Sequence, residues 1–130
     1  MSAGSYRGVP GSRIELARIY SDQKKIEDAQ NLLNQVIKDR NDELAAEAQK
    51  VLGDVYFNAG NYNEALTSYL RVKYVYQAYP GWVARALYAA GNTYEKLGQP
   101  AEAKKVYQEI VDKFPTEKIS DKAKERLAAL

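Results

Sequence analysis

The sequence predicts an all-α protein: a right-handed superhelical stack of three antiparallel helix hairpins, followed by a C-terminal helix. Three observations carry this. A pattern of small, aromatic and turn residues recurs in register 38 positions apart. Leu52-Gly53-Asp54-Val55-Tyr56, Gly60, Ala65 and Tyr69 are answered by Ala90-Gly91-Asn92-Thr93-Tyr94, Gly98, Ala103 and Tyr107. Apolar residues fall at helical spacing along the chain, and no segment alternates as a strand would. Turn residues, Gly60-Asn61 and Gly98-Gln99-Pro100, separate the paired stripes at equivalent places. A pattern kept in register at such a period is the mark of a stacked helical repeat.

The elements follow in order. Residues 1–11 read as a flexible tail: Met1 to Pro10 is small, polar and glycine-containing, without the apolar stretch of a signal peptide. A single domain is expected over 12–130. Its first unit, about 12–41, is a weaker copy, with Leu16, Ile19 and Tyr20, then Ala29, Leu33 and Val36. Ser12 with Glu15 predicts a capping box opening its first helix. Lys24 stands where the other units have glycine, which predicts a less stereotyped turn.

In the second unit, about 42–80, Ala48, Leu52, Val55, Tyr56 and Ala59 form one stripe and Tyr62, Ala65, Leu66, Tyr69, Val72 and Tyr76 the next. Asn61 with Glu64 predicts a second capping box. The third unit, about 81–116, repeats this with Ala86, Ala90, Thr93, Tyr94 and Leu97, then Ala103, Val106, Tyr107, Ile110, Val111 and Phe114. Gly98 can end a helix in the left-handed conformation, and Pro100 suits the first turn of the next. Breaks are expected near Asp39–Asp42, Tyr79–Gly81 and Phe114–Glu117. The final helix, 117–130, carries Ile119, Ala123, Leu127 and Leu130 on one face. It is either a cap on the last repeat or the first half of a fourth unit.

Composition narrows function. At 130 residues, with 45% hydrophobic and 28% charged residues, the chain can bury a core. A formal net charge of +2 favours neither nucleic acid nor a membrane surface. No apolar run approaches the roughly 18 residues that span a bilayer, so no membrane insertion is expected. The chain has no cysteine and no histidine. Disulfides, zinc–thiolate centres, cysteine nucleophiles, Ser-His-Asp triads and histidine-based metal sites are therefore excluded. No metal, no cofactor and no enzymatic activity are expected. The missing cysteine does not fix the compartment.

Leu52-Gly53-x-x-Tyr56, Ala65 and Tyr69 resemble the tetratricopeptide repeat. Gly91-x-x-Tyr94, Ala103, Tyr107 and Pro115 do so again, with Ala90 in the Leu place. The resemblance covers about 12–130 and implies a protein-interaction scaffold. The family repeat has 34 residues, and the four extra here fall between Val72 and Ala84, about one helical turn. They lie among Tyr74, Tyr76, Tyr79 and Trp82. Long repeats closed by Tyr-Pro or Phe-Pro, then an Ala-Lys-Glu-Arg-Leu helix (Ala123 to Leu127), look like one bacterial subgroup. It includes the Tol-Pal-associated periplasmic protein and outer-membrane assembly lipoproteins. That likeness points to the periplasm, although cytosolic arrays share the spacing.

In such arrays the first helices line a concave face. The residues on them that point away from the core are the candidate contacts: Arg18 in unit one, Lys50, Asp54 and Phe57 in unit two, and Arg85, Tyr88 and Asn92 in unit three. Glu47 and Glu95 share that face. Mixed charge, an amide and two aromatics suit an extended peptide or a partner helix. Tyr56, Tyr69, Tyr94 and Tyr107 are expected in the core, and Trp82 and Tyr79 against the inter-repeat turn. Transferring the carboxylate clamp of chaperone-tail-binding arrays falls on Ile14, Arg18, Val51, Arg85 and Ala89. Only Arg85 matches in character, so no such clamp is expected. An alternative function is a structural array that self-associates end to end, as a homo-oligomer, through Ala123, Leu127 and Leu130. Lys118, Lys122, Lys124 and Arg126 form a short basic stripe, but Glu117, Asp121 and Glu125 interleave it, which argues against nucleic acid.

Overall fold

Backbone hydrogen bonds at three hairpin turns set the frame of the molecule. The structure is a computed structural model and describes residues 10–130. Among the described residues seven helices follow one another: α1 (Pro10–Asp22), α2 (Ile26–Asp39), α3 (Glu43–Asn58), α4 (Tyr62–Val75), α5 (Pro80–Lys96), α6 (Pro100–Lys113) and α7 (Ile119–Ala129). The chain is an all-helical stack of three hairpins, α1–α2, α3–α4 and α5–α6, closed by α7. Most of the predicted tail lies outside the described residues. Its last two positions, Pro10 and Gly11, are already helical. Ser12 therefore sits inside the first turn rather than capping it.

Each hairpin turns in the same way. Asn61 N–H donates to Tyr56 O and Gln99 N–H to Tyr94 O, both at 2.8 Å, across Gly60 (φ 81°) and Gly98 (φ 72°). Lys25 N–H donates to Tyr20 O at the same 2.8 Å, across Lys24 at φ 65°. These are Schellman turns, which require a left-handed residue after the helix end. The first turn is thus as stereotyped as the others, contrary to expectation, and a lysine bears the steric cost of its conformation. Lys24→Gly should stabilise the chain by about 0.5–1 kcal/mol, the strain relieved less the added freedom of the unfolded glycine. A melting temperature raised by roughly 2–5 °C would show it.

The expected capping box at Asn61 does not form: its side chain makes no cap hydrogen bond. Its backbone N–H and C=O instead bond Tyr56 O and Ala65 N–H. The break expected at Tyr79–Gly81 lies earlier, at residues 76–79, because α5 starts at Pro80. A proline at the first helical position has no N–H to leave unpaired.

Packing follows the small residues. Each hairpin contacts the next through its second helix, and the first helices α1, α3, α5 and α7 also touch in succession. α3 lies between two cores. Ala48, Val51 and Val55 join Ile14, Leu33 and Val36 on one side. Ala45 and Ala46 join a larger cluster with Tyr69, Val72, Leu87, Tyr107 and Ile110 on the other. α7 packs on α6 and α5 as a further first helix would. Ala123 is fully buried there, and Leu127 and Leu130 pack against the same core. Of the stripe expected to be free for self-association, Ala123 is taken up by the chain itself, while Leu127 and Leu130 keep part of their surface exposed.

Gly53 and Gly91 explain the closeness of each hairpin. A Cβ on Gly53 would lie 2.4 Å from the Tyr69 ring, and one on Gly91 2.3 Å from the Tyr107 ring. Those two rings are buried. Tyr56 and Tyr94, also expected inside, are only partly so.

Candidate partner-binding site

The exposed sides of α3 and α5 converge with α7 on one groove of about 420 Å³. Six of the seven predicted contact residues line it: Lys50, Asp54, Phe57, Arg85, Tyr88 and Asn92. The seventh, Arg18, lies apart, at a recess between α1 and α3. Helical spacing brings Lys50, Asp54 and Phe57 to one side of α3, and Arg85, Tyr88 and Asn92 to the facing side of α5.

Two of these residues also serve the core. The Tyr69 hydroxyl donates to Asp54 Oδ1 at 2.5 Å, and the Tyr107 hydroxyl, which donates to Glu95, lies 2.7 Å from Asn92 Oδ1. Asp54 further accepts from Lys50 Nζ at 2.9 Å. Burial, reinforced by the Asp54 carboxylate, raises the Tyr69 phenol well above its ordinary value. Tyr107 is raised in the same way by burial and by its hydrogen bond to Glu95 at 2.5 Å. Asp54 and Asn92 are therefore partly committed before any partner arrives.

Phe57, Tyr88 and Arg85 are less bound. Phe57 is half-buried and meets Tyr62 edge-on at 5.1 Å between ring centroids. Tyr88 lies against Tyr107 at 5.7 Å. The Arg85 guanidinium stacks over the Trp82 ring at 4.6 Å, and Trp82 Nε1 donates to Glu43 at 3.2 Å. Trp82 thus ties α5 to α3 and steadies Arg85 at the groove edge.

α7 adds what the sequence reading did not place in the groove, Ile119 and Lys122. Lys122 follows Arg85 by 37 residues, so treating α7 as a fourth first helix would have found it. Lys50 is neutralised by Asp54, whereas Arg85 and Lys122 have no ion-pair partner among the described residues. The groove is locally basic with two aromatic walls. Arg126, further along α7, pairs with Glu95 through its Nε and Nη2. That hydrogen bonding holds the Glu95 carboxyl below its ordinary range. The basic stripe of α7 is therefore divided, Lys122 facing the groove and Arg126 latching α7 to α5. Arg18 pairs with Glu47 at 3.2 Å, another first-helix to first-helix link. Ile14 and Val51, the transferred clamp positions, are buried in the core.

Among the described residues, no cluster of acidic side chains is arranged to hold a metal ion. No described helix is long and apolar enough to cross a membrane.

A family model of the tetratricopeptide repeat matches residues 44–115, more than half of the chain. The chain belongs to the tetratricopeptide repeat family. Proteins of this family are in general protein–protein interaction scaffolds and non-catalytic. No curated protein matches the chain. Solved tetratricopeptide-like structures do. The type III secretion translocator chaperone SycD of Yersinia enterocolitica is 21% identical, over 93% of this chain and 89% of that one, with a TM-score of 0.71. The N-terminal domain of stress-induced protein-1 (STI-1) from C. elegans is 19% identical, over 96% and 98%, with a TM-score of 0.73. MamA is 20% identical, over 92% and 74%, with a TM-score of 0.63. At these identities the likeness is one of fold.

Proposed function

We propose that this tetratricopeptide array is a non-catalytic scaffold that takes up a segment of a partner protein in the groove between α3, α5 and α7. The observation that carries this is the convergence of six contact residues chosen from sequence on one concave surface, with Ile119 and Lys122 added by α7. The segment bears an apolar or aromatic side chain to lie between Phe57 and Tyr88, beside an acidic one for Arg85 and Lys122. Aromatic anchors supply most of the affinity in such interfaces, and charges set specificity. A partner at the concave face also agrees with the fold shared with a translocator chaperone. The bacterial, Tol-Pal-associated type belongs to this reading too, supported by the repeat length and the Ala123–Leu127 helix. End-to-end self-association remains the second reading, with Ala123 buried and the part-exposed Leu127 and Leu130 left to carry it.

The test is selection from a displayed random peptide library, followed by affinity measurement with the selected peptides. Phe57→Ala should weaken binding roughly tenfold or more, the loss of an aromatic contact. Lys122→Glu should weaken acidic peptides by a similar factor and spare helicity. Neither residue bonds a core tyrosine, whereas replacing Asn92 would also disturb Tyr107. Affinities unchanged in both variants would overturn the groove assignment.

A further inference from the structure

The second helices leave an open seam. Between α2 and α4, over a floor of Leu52 and Tyr56 from α3, lies a cleft of about 370 Å³, lined also by Asn34, Asn63, Glu64 and Arg71. It shares no lining residue with the groove between α3, α5 and α7. The exposed side chains of Glu64 and Arg71 make no ion pair or hydrogen bond among the described residues. The next seam along the stack is closed. Between α4 and α6, Lys73 Nζ bonds Glu109 Oε1 at 3.0 Å, and Glu102 pairs with Lys105 at 3.2 Å. Glu102 and Glu109 are the counterparts of Glu64 and Arg71, 38 residues on. The counterpart of Lys73 in α2, 36 residues back, is Ile37, which has no charge to offer Arg71. The open stripe of α4 also ends on an apolar pair. Tyr74 is 67% and Val75 59% exposed in its last turn, and Val75, four residues beyond Arg71, lies on the same side of the helix. At these positions α2 carries Lys38-Asp39 and α6 carries Asp112-Lys113. The fold therefore accepts charges there and does not require the apolar pair.

We propose that the α2–α4 cleft and Val75 form a second docking surface, for a helix of a partner protein that carries a basic residue for Glu64, an acidic one for Arg71 and an apolar one for Val75. It stands independently of the groove between α3, α5 and α7. The charges fix what the partner carries, and covering Val75 removes apolar surface from water. Spacing decides for a helix. At 1.5 Å per residue, Glu64, Arg71 and Val75 stand about 10 Å and about 6 Å apart along α4. A helix laid along α4 reproduces both steps on one face, with residues seven and four apart. An extended chain rises about 3.3 Å per residue, so about 10 Å is three residues, and the third points to the other face. A second copy of α4 laid antiparallel would pair Glu64 with Arg71 twice. Opposite Val75, however, it would bring Gly60, and over Leu52 and Tyr56 it would set Thr67, so neither apolar surface would gain an apolar partner. The surface fits a helix of a different protein.

The experiment is selection from a displayed library of helical peptides with one randomised face. The bait is the Phe57→Ala, Lys122→Glu double variant, whose concave groove is weakened. Selected helices should carry basic, acidic and apolar residues at i, i+7 and i+11, in either chain direction, and should bind the native chain. Val75→Lys should weaken them roughly tenfold or more, the loss of one covered valine. Arg71→Glu should weaken them roughly three- to tenfold, and a peptide whose acidic residue is exchanged for lysine should regain the loss. Both variants should melt within roughly 3 °C of the native chain. Each changes an exposed side chain to the residue that α6 already carries there, Lys113 or Glu109. A selection that yields no helix, or helices indifferent to both variants, would overturn the docking surface. So would an Arg71→Glu loss that the exchanged peptide does not regain. If the native chain instead dimerises in sedimentation and Arg71→Glu abolishes the dimer, the occupant is a second copy and the partner helix is refuted.

Discussion

Tyr107→Ala is expected to cost about 3–5 kcal/mol of unfolding free energy, and in that background Gly91→Ala should change from destabilising to stabilising. In the native chain a Cβ on Gly91 would stand 2.3 Å from Cε1 and 2.6 Å from Cζ of Tyr107. The ring cannot swing aside easily. It is fully buried, and its hydroxyl donates to Glu95 and lies against Asn92. Overpacking of this kind costs about 1–3 kcal/mol, while alanine for glycine inside a helix returns about 1 kcal/mol. Gly91→Ala alone should therefore destabilise by up to about 2 kcal/mol. With the ring removed, only the helix gain and some refilling of the cavity remain, about 1 kcal/mol in favour. Urea unfolding of the two single variants and the double variant measures the coupling. A Gly91→Ala effect of the same sign in both backgrounds would show that the glycine answers to something other than Tyr107.

The same pair shows what the sequence carries and what it does not. The register of glycine and tyrosine, repeated at Gly53–Tyr69 and Gly91–Tyr107, was enough to pair the helices. Close packing admits few residue types at that contact. The partners of the hydroxyls were not legible. Asp54 and Asn92 each directly follow their glycine, and a surface residue and a hydrogen-bond acceptor look alike in one dimension. That they meet a tyrosine 15 residues later depends on the hairpin crossing.

The capping boxes at Ser12 and Asn61 failed for a related reason. Local side-chain bonding competes with the backbone, and the Schellman turn at Gly60 satisfied the Asn61 backbone first. At Ser12 the helix simply began earlier. Lys24 hid a turn of standard geometry because sequence reasoning equates the left-handed conformation with glycine. α7 was read for its apolar and basic stripes rather than as a fourth first helix, so the place of Lys122 in the groove was overlooked. The groove itself was largely legible, because concave positions in a repeat follow from the same period that identifies the fold.

Raising the pH above 10 is expected to unfold the chain steeply, with Tyr69 and Tyr107 as the cause. Both phenols are raised from their ordinary value of 10.0, first by burial and then by the carboxylates they touch, Asp54 and Glu95. A raised folded value means that the native state keeps a proton the unfolded chain gives up. Stability from this source is complete below pH 10 and declines as the pH rises past it. Each such phenol removes about 1.4 kcal/mol per pH unit in that range, so two remove about 2.7 kcal/mol. Near pH 12 the loss is about 5 kcal/mol, comparable to the whole margin of many domains. Helix content followed by circular dichroism should fall over that range. Phenolate absorbance from these two rings should appear only as it does. The Tyr69→Phe, Tyr107→Phe double variant separates this from other alkaline effects, which are common to both proteins. It should begin less stable at neutral pH, having lost the hydroxyl bonds to Asp54 and Glu95, yet lose less on going to alkaline pH. An alkaline decline of equal slope in both proteins would mean that the two phenols are not what the folded state protects.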